Sequence, residues 1–95
     1  MKLVTIVCES LARVHLVRLL VDVGAHGYTL SAVQGEGSQG GRPGDIEEFA
    51  NIQVQIVTSP AVATALMDRL QKDFFPRYAM IAYESEVQVL RPEKF

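Results

Sequence analysis

Apolar and polar residues alternate in several short stretches of this chain and recur at helical spacing in two longer ones. Leu3 to Cys8 is short and rich in β-branched residues, with Val4, Ile6 and Cys8 on one face, which predicts a strand. Ser10 stands where it can cap a following helix. From Leu11 to Val23, leucine or valine occupies positions 11, 14, 16, 17, 19, 20, 21 and 23, leaving His15, Arg18 and Asp22, with Arg13 beside them, as a narrow polar stripe. Two readings of so apolar a helix stay open. It covers a sheet, or it covers a sheet and also meets another subunit, as small domains with a limited core often require.

Gly24 and Gly27 offer left-handed positions just past this helix, and Tyr28 to Val33 reads as a second strand. The stretch from Gln34 to Glu48 holds five glycines and one proline among polar residues, too long for a hairpin turn, and reads as a mobile functional loop or a disordered one. Ala50 to Thr58 alternates cleanly, Ile52, Val54 and Ile56 against Asn51, Gln53 and Gln55, and predicts a strand with one buried face. Ser59-Pro60 is a helix cap followed by proline at the first helical position. Val62, Leu66, Leu70 and Phe74 then share a face opposite Thr64, Asp68 and Lys72, until Pro76 ends the run. Ala79 to Tyr83 predicts a fourth strand, and the alternation from Glu86 to Leu90 allows a short fifth.

The order β-α-β-β-α-β predicts an α+β, ferredoxin-like split βαβ fold. Two right-handed crossovers place both helices on one face of a four-stranded antiparallel sheet. The opposite face then carries Thr29, Ser31, Gln53 and Gln55 mixed with apolar residues, which suits partial cover by neighbouring subunits.

At 95 residues there is room for a single domain, 1–95. The formal charge is -2 and the six arginines and three lysines are scattered without a run, which argues against nucleic acid as a partner. Cys8 is the only cysteine and has no ligand-spaced neighbour, and the first residues, MKLVTIVCES, are too short an apolar run for a secretion signal. No segment is long and apolar enough to enter a membrane, so a cytoplasmic protein is expected.

Candidate chemistry concentrates between residues 24 and 42. Gly35, Gly37, Gly40 and Gly41 let backbone N–H groups curl around an anion, Ser38 adds a hydroxyl and Arg42 a forked cation, so phosphate is the natural guest. The glycine pattern matches neither a Walker loop nor a dinucleotide fingerprint, and by itself it is equally a plain surface loop.

The wider pattern is more specific. Gly24, Gly27 and Thr29 in G-x-x-G-x-T, followed by Val33, Gly35 and Gly37 in V-x-G-x-G, resemble the second strand and T-loop entry of the PII-like signalling proteins. The strand Ile52 to Val57, the helix opening at Ser59-Pro60 and the ending Val87-Gln-Val-Leu-Arg91 resemble the rest of that family's pattern. Lys2-Leu3-Val4, Gly24 to Thr29, Gly37-Ser38, Asp45-Ile46-Glu47, Ala50-Asn51-Ile52, Phe75 to Ala79 and Glu86 to Leu90 are similar to the divergent branch that accompanies bicarbonate transporters and carboxysomes. The resemblance spans nearly the whole chain.

It implies a homotrimer of a bacterial cytoplasmic protein, binding an adenine nucleotide in each cleft between subunits and signalling through a T-loop at about 35–48. Gly27, Tyr28 and Thr29 would lie against base and ribose, with Gln55 and Val57 at the adenine side. Gly35, Gly37, Ser38 and Gln39 would cradle phosphate, approached by Arg91, and Arg42 joins them by its charge and position. Typical PII proteins also carry a second loop with a G-D-G-K core, where this chain has Phe74-Phe-Pro-Arg-Tyr78, and a further arginine where it has Val89. ADP or AMP is therefore expected over ATP, with cyclic AMP and bicarbonate as further candidate ligands. The T-loop contains no tyrosine, so uridylylation is not expected. No cysteine pair follows Leu90, which points to the carboxysome-associated type; a bicarbonate transporter or carboxysome-associated protein would be the partner.

Other classes fit less well. An acylphosphatase of similar architecture needs an arginine-bearing phosphate loop before the first helix, and no nucleophile-base pair is visible, so an enzyme is not expected, with weak nucleotide hydrolysis in a trimeric cleft as the alternative. Two histidines and one cysteine give thin support for a trimeric metal-binding protein. His15, His26 and Cys8 read as a solvent-facing residue, a turn residue and a small buried hydrophobe, and Asp45, Glu47 and Glu48 as a solvated acidic patch.

Overall fold

A computed structural model describes residues 1–34 and 51–95. Strand β1 (Lys2–Glu9) leads through a 3-10 turn (Ser10–Ala12) into helix α1 (Arg13–Val23), then strand β2 (Thr29–Val33). Strand β3 (Asn51–Thr58), helix α2 (Pro60–Arg69), a π turn (Leu70–Phe74) and strand β4 (Met80–Glu86) follow, and a 3-10 turn (Pro92–Lys94) comes last. The strands form one sheet in the order β2-β3-β1-β4, with every neighbouring pair antiparallel. This is the expected α+β ferredoxin-like arrangement.

The core follows from the alternation. Along β3 every second residue, Ile52, Val54, Ile56 and Thr58, is buried while those between are half-buried. Val4, Ile6 and Cys8 of β1 lie on the same face and pack with Leu16, Leu19 and Leu20 of α1 and Ala63, Leu66, Leu70 and Phe74 of the second helical segment. Cys8 is buried there, and the loss of water pushes its thiol up to about 11 from the usual 9.0, with the Glu9 carboxylate adding to the shift.

Local chemistry sets the helix ends. The Ser59 side chain accepts a hydrogen bond from the Val62 amide at 3.3 Å and Pro60 takes the first position of α2, as the sequence predicts. Gly24 has φ 86, and the Ala25 amide bonds to the Leu20 carbonyl at 2.9 Å while the Gly24 amide bonds to that of Val21 at 3.1 Å. That paired closure is a Schellman motif, which the left-handed glycine makes possible. Gly27, by contrast, has no positive φ, so its lack of a side chain is not required by the turn. Ser10 opens a 3-10 turn whose cap position is held by Glu9, one residue before the expected cap.

The second helix changes pitch rather than running evenly to Pro76. From Leu70 the turn widens to a π turn closed by the Phe75 amide on the Leu70 carbonyl at 2.9 Å. In a plain α-helix, residues spaced by four drift around the axis; widening the turn keeps Phe74 under Leu70, and both are buried.

The fifth strand does not form within the chain. Strand β4 runs on to Glu86, drawn by its pairing with β1 and by Lys2 Nζ, which lies 3.0 Å from Glu86 Oε1. The Val87 amide still reaches the Met1 carbonyl at 3.0 Å, but the start of β1 has been reached and residues 88–90 pair with no strand among the described residues.

Two outcomes follow from this core. Leu16→Ala, which empties a fully buried site, should cost about 2–5 kcal/mol in denaturant unfolding at fixed protein concentration. Cys8 should resist alkylation at neutral pH in the folded chain and react once the chain is unfolded. Because its folded thiol ionises at higher pH than the unfolded one, stability should decline as pH rises from 9.0 towards about 11. A Cys8→Ala variant that declines equally over this range would show that the thiol is not responsible.

Candidate functional site

The sheet face turned away from the helices carries the residues of interest. Antiparallel partners share a face, so the register lays Thr29, Gln55, Thr5 and Tyr83 in one row across all four strands. Beside it run Ser31, Gln53, Val7 and Ile81 on one flank, and Val57, Leu3 and Ser85 on the other. Ile81 and Tyr83 are 60% and 54% exposed, so a largely apolar part of this face has no cover among the described residues. Thr5, in the central strand, is nevertheless buried.

Thr29 and Gln55, far apart in sequence, stand directly opposite each other. Val57 lies two residues along the same face from Gln55, half-buried, and pairs with Leu3. Gly27 and Tyr28 lead into β2 and are exposed, and a Cβ placed on Gly27 would meet nothing within 4 Å. Space therefore remains above the backbone at Gly27, and the described chain does not fill it.

Arg91 is exposed and sits at the entry of the last 3-10 turn, where its carbonyl accepts from the Lys94 amide at 3.1 Å. It follows β4, at one edge of the sheet, whereas Thr29 lies on β2, at the other. Thr29, Gln55 and Val57 are thus brought together within the chain, whereas Arg91 comes in the segment after the opposite edge strand. Gly35, Gly37, Ser38, Gln39 and Arg42 lie outside the described residues, as do Asp45, Glu47 and Glu48 and the T-loop as a whole.

Sequence reasoning did not single out Thr5 and Tyr83, which complete the polar row with Gln55. Their alternation places them on a face, but only the register shows that they align. Among the described residues, no three His, Cys, Asp or Glu side chains come together in a way that could hold a metal ion, and no helix is long and apolar enough to cross a membrane.

The comparisons agree with this architecture. The family model described as nitrogen regulatory protein P-II matches residues 1–94. A structure from Thermus thermophilus, described by its determiners as that of a PII-like signalling protein, is 47% identical and superposes with a TM-score of 0.85, covering 99% of this chain and 93% of that one. CPII from Thiomonas intermedia, a nitrogen regulatory PII-like protein bound to ADP, AMP and bicarbonate, is 28% identical with a TM-score of 0.86, over 99% of this chain and 92% of that one. The same protein bound to ADP and bicarbonate matches at 27% identity and a TM-score of 0.86, with coverage of 99% and 92%. With a family match along almost its whole length and this fold beneath it, the chain belongs to the P-II family of nitrogen regulatory proteins, among its PII-like members.

Proposed function

We propose that the protein is a regulator, not an enzyme, that binds ADP or AMP in clefts between the subunits of a homotrimer and reports them to a partner in inorganic-carbon metabolism. The observation that carries this reading is the likeness to CPII bound to ADP, AMP and bicarbonate. Residues 1–95 act as one PII-like domain in the bacterial cytoplasm, and the T-loop at about 35–48 changes its order with ligand and so its grip on the partner. That partner is a bicarbonate transporter or a carboxysome-associated protein.

Two features of the chain support a cleft made by two subunits. Thr29 lies on one edge strand and Arg91 follows the strand at the other edge, so a neighbouring copy could supply the arginine that Thr29 lacks nearby among the described residues of its own chain. The uncovered face with Ile81 and Tyr83 offers apolar area whose burial would drive such assembly. In this arrangement Gly27, Tyr28 and Thr29 meet base and ribose, and Gln55 and Val57 meet adenine. Gly35, Gly37, Ser38, Gln39 and Arg42 hold phosphate together with Arg91.

The preference for a shorter phosphate chain rests on what stands at Phe74 to Tyr78. That segment is the end of a π turn and the turn after it, with Phe74 turned into the core, and it has no glycine to bring backbone N–H groups against a third phosphate. Bicarbonate acts as co-ligand, and cyclic AMP is a weaker candidate.

Calorimetric titration with AMP, ADP, ATP and cyclic AMP, with and without bicarbonate at controlled pH, tests this. ADP or AMP should bind once per subunit with Kd on the order of micromolar, altered by bicarbonate. ATP binding about tenfold tighter than ADP would sink the preference, and no heat with any nucleotide would sink the reading as a whole. Gly27→Ala adds a methyl group where the chain has open space, so folding and trimer formation by sedimentation should be unchanged while ADP binding weakens about tenfold. Parental ADP affinity in that variant would remove Gly27 from the site.

A further inference from the structure

On the helix side of the sheet, away from Thr29, Gln55 and Val57, α1 and the π turn leave a groove of about 270 Å3. Its deeper part is apolar. Leu19 and Phe74 are buried there, and Tyr78 is half-buried with its ring centroid 5.8 Å from that of Phe74. Its upper part is ionic, with Arg18 and His15 on one side and Arg69 and Arg77 on the other.

The charges in the groove are unevenly matched. Arg69 Nε donates to Asp73 Oδ2 at 2.8 Å, and Asp22 is the other acidic residue of the groove. Arg18 and Arg77 have no ion-pair partner among the described residues. Three arginines against two aspartates leave a surplus of one positive charge, in a chain whose formal charge is -2. Unmatched guanidinium groups beside an apolar wall suit an anion that brings its own apolar body, because guanidinium forks onto a carboxylate or phosphate and the body removes Leu19, Phe74 and Tyr78 from water.

We infer that this groove is a second ligand site, for a small organic anion with one phosphate or carboxylate group and a single-ring apolar body. Arg18 and Arg77 hold the anionic group, and Leu19, Phe74 and Tyr78 receive the ring. The volume lies just below the range of about 300–1,000 Å3 typical of drug-sized ligands, which limits the body to roughly one ring. The π turn is what builds the site, since it keeps Phe74 beneath the groove while Asp73 faces Arg69 on its rim. Such a site adds a second chemical input to the protein, and it stands whether or not ADP binds at the sheet.

The test is an NMR titration of the isotope-labelled full chain with phenyl phosphate, benzoate and inorganic phosphate, in the presence and absence of saturating ADP. The ring resonances of His15 and Tyr78 and the Nε resonance of Arg18 should shift and saturate with phenyl phosphate or benzoate. The tighter of the two identifies the anionic group. Inorganic phosphate, lacking the ring, should bind about tenfold more weakly. Arg18→Gln should weaken the ring-bearing anion about tenfold and leave the ADP titration unchanged. The inference is overturned by any of four results: no shift at about 10 mM anion, equal binding of inorganic phosphate, unaltered binding to Arg18→Gln, or displacement of the anion by ADP.

Discussion

Strand β1 is the constraint on which the molecule depends. It is hydrogen-bonded on both sides, to β3 and to β4, and its residues Val4, Ile6 and Cys8 form the middle of the core. Both crossovers, β1 to β2 and β3 to β4, must be right-handed, so both helices are forced onto the face that those three residues define. One face of the sheet is thereby dry and the other is not covered by either helix. The division explains why the core face of β1 carries Val4, Ile6 and Cys8 with no polar side chain among them.

That division also separates two kinds of chemistry. On the uncovered face the row Thr29, Gln55, Thr5 and Tyr83 offers hydroxyl and amide groups set among apolar neighbours, held by the ladder itself and needing no helix to orient them. On the covered face the polar groups stand where two helical segments fail to close over the core, and their positions depend on how α1 and the π turn pack. The first arrangement is rigid and incomplete at its edges. The second is a rim of long charged side chains over an apolar floor.

Much of the fold was legible from pattern, and its failures have local causes. Residues 51–58 were read directly because burial alternates without interruption there. Ser10 marks the start of the helical segment, but pattern does not show that the chain enters α1 through a 3-10 turn with Glu9 at its cap position. Gly27 suggested a left-handed turn next to Gly24, but the Schellman closure needs only one such residue. The alternation from Glu86 to Leu90 suggested a strand, and pattern cannot show that Glu86 already belongs to β4 and that the neighbouring edge of β1 ends at Met1.

The candidate site was legible to a smaller degree because it depends on register. Gln55 and Thr29 were named from resemblance; composition and periodicity mark both only as polar residues on a strand. Their alignment, and that of Thr5 and Tyr83 with them, is a consequence of which residue pairs with which, and a slip of one position would turn each to the other face. The groove was less legible still. Arg18 lay on a recognised polar stripe and Arg77 in a segment noted for what it lacked, but nothing in either stretch shows that they face one cavity. Only packing, with Leu19 and Phe74 as the shared floor, brings them together, and it also leaves both without the acidic partner that Arg69 has in Asp73. An ion pair formed inside one helix, at a spacing of four, can be read from sequence; an unmatched charge between two helices cannot, because it is defined by neighbours that no local pattern supplies.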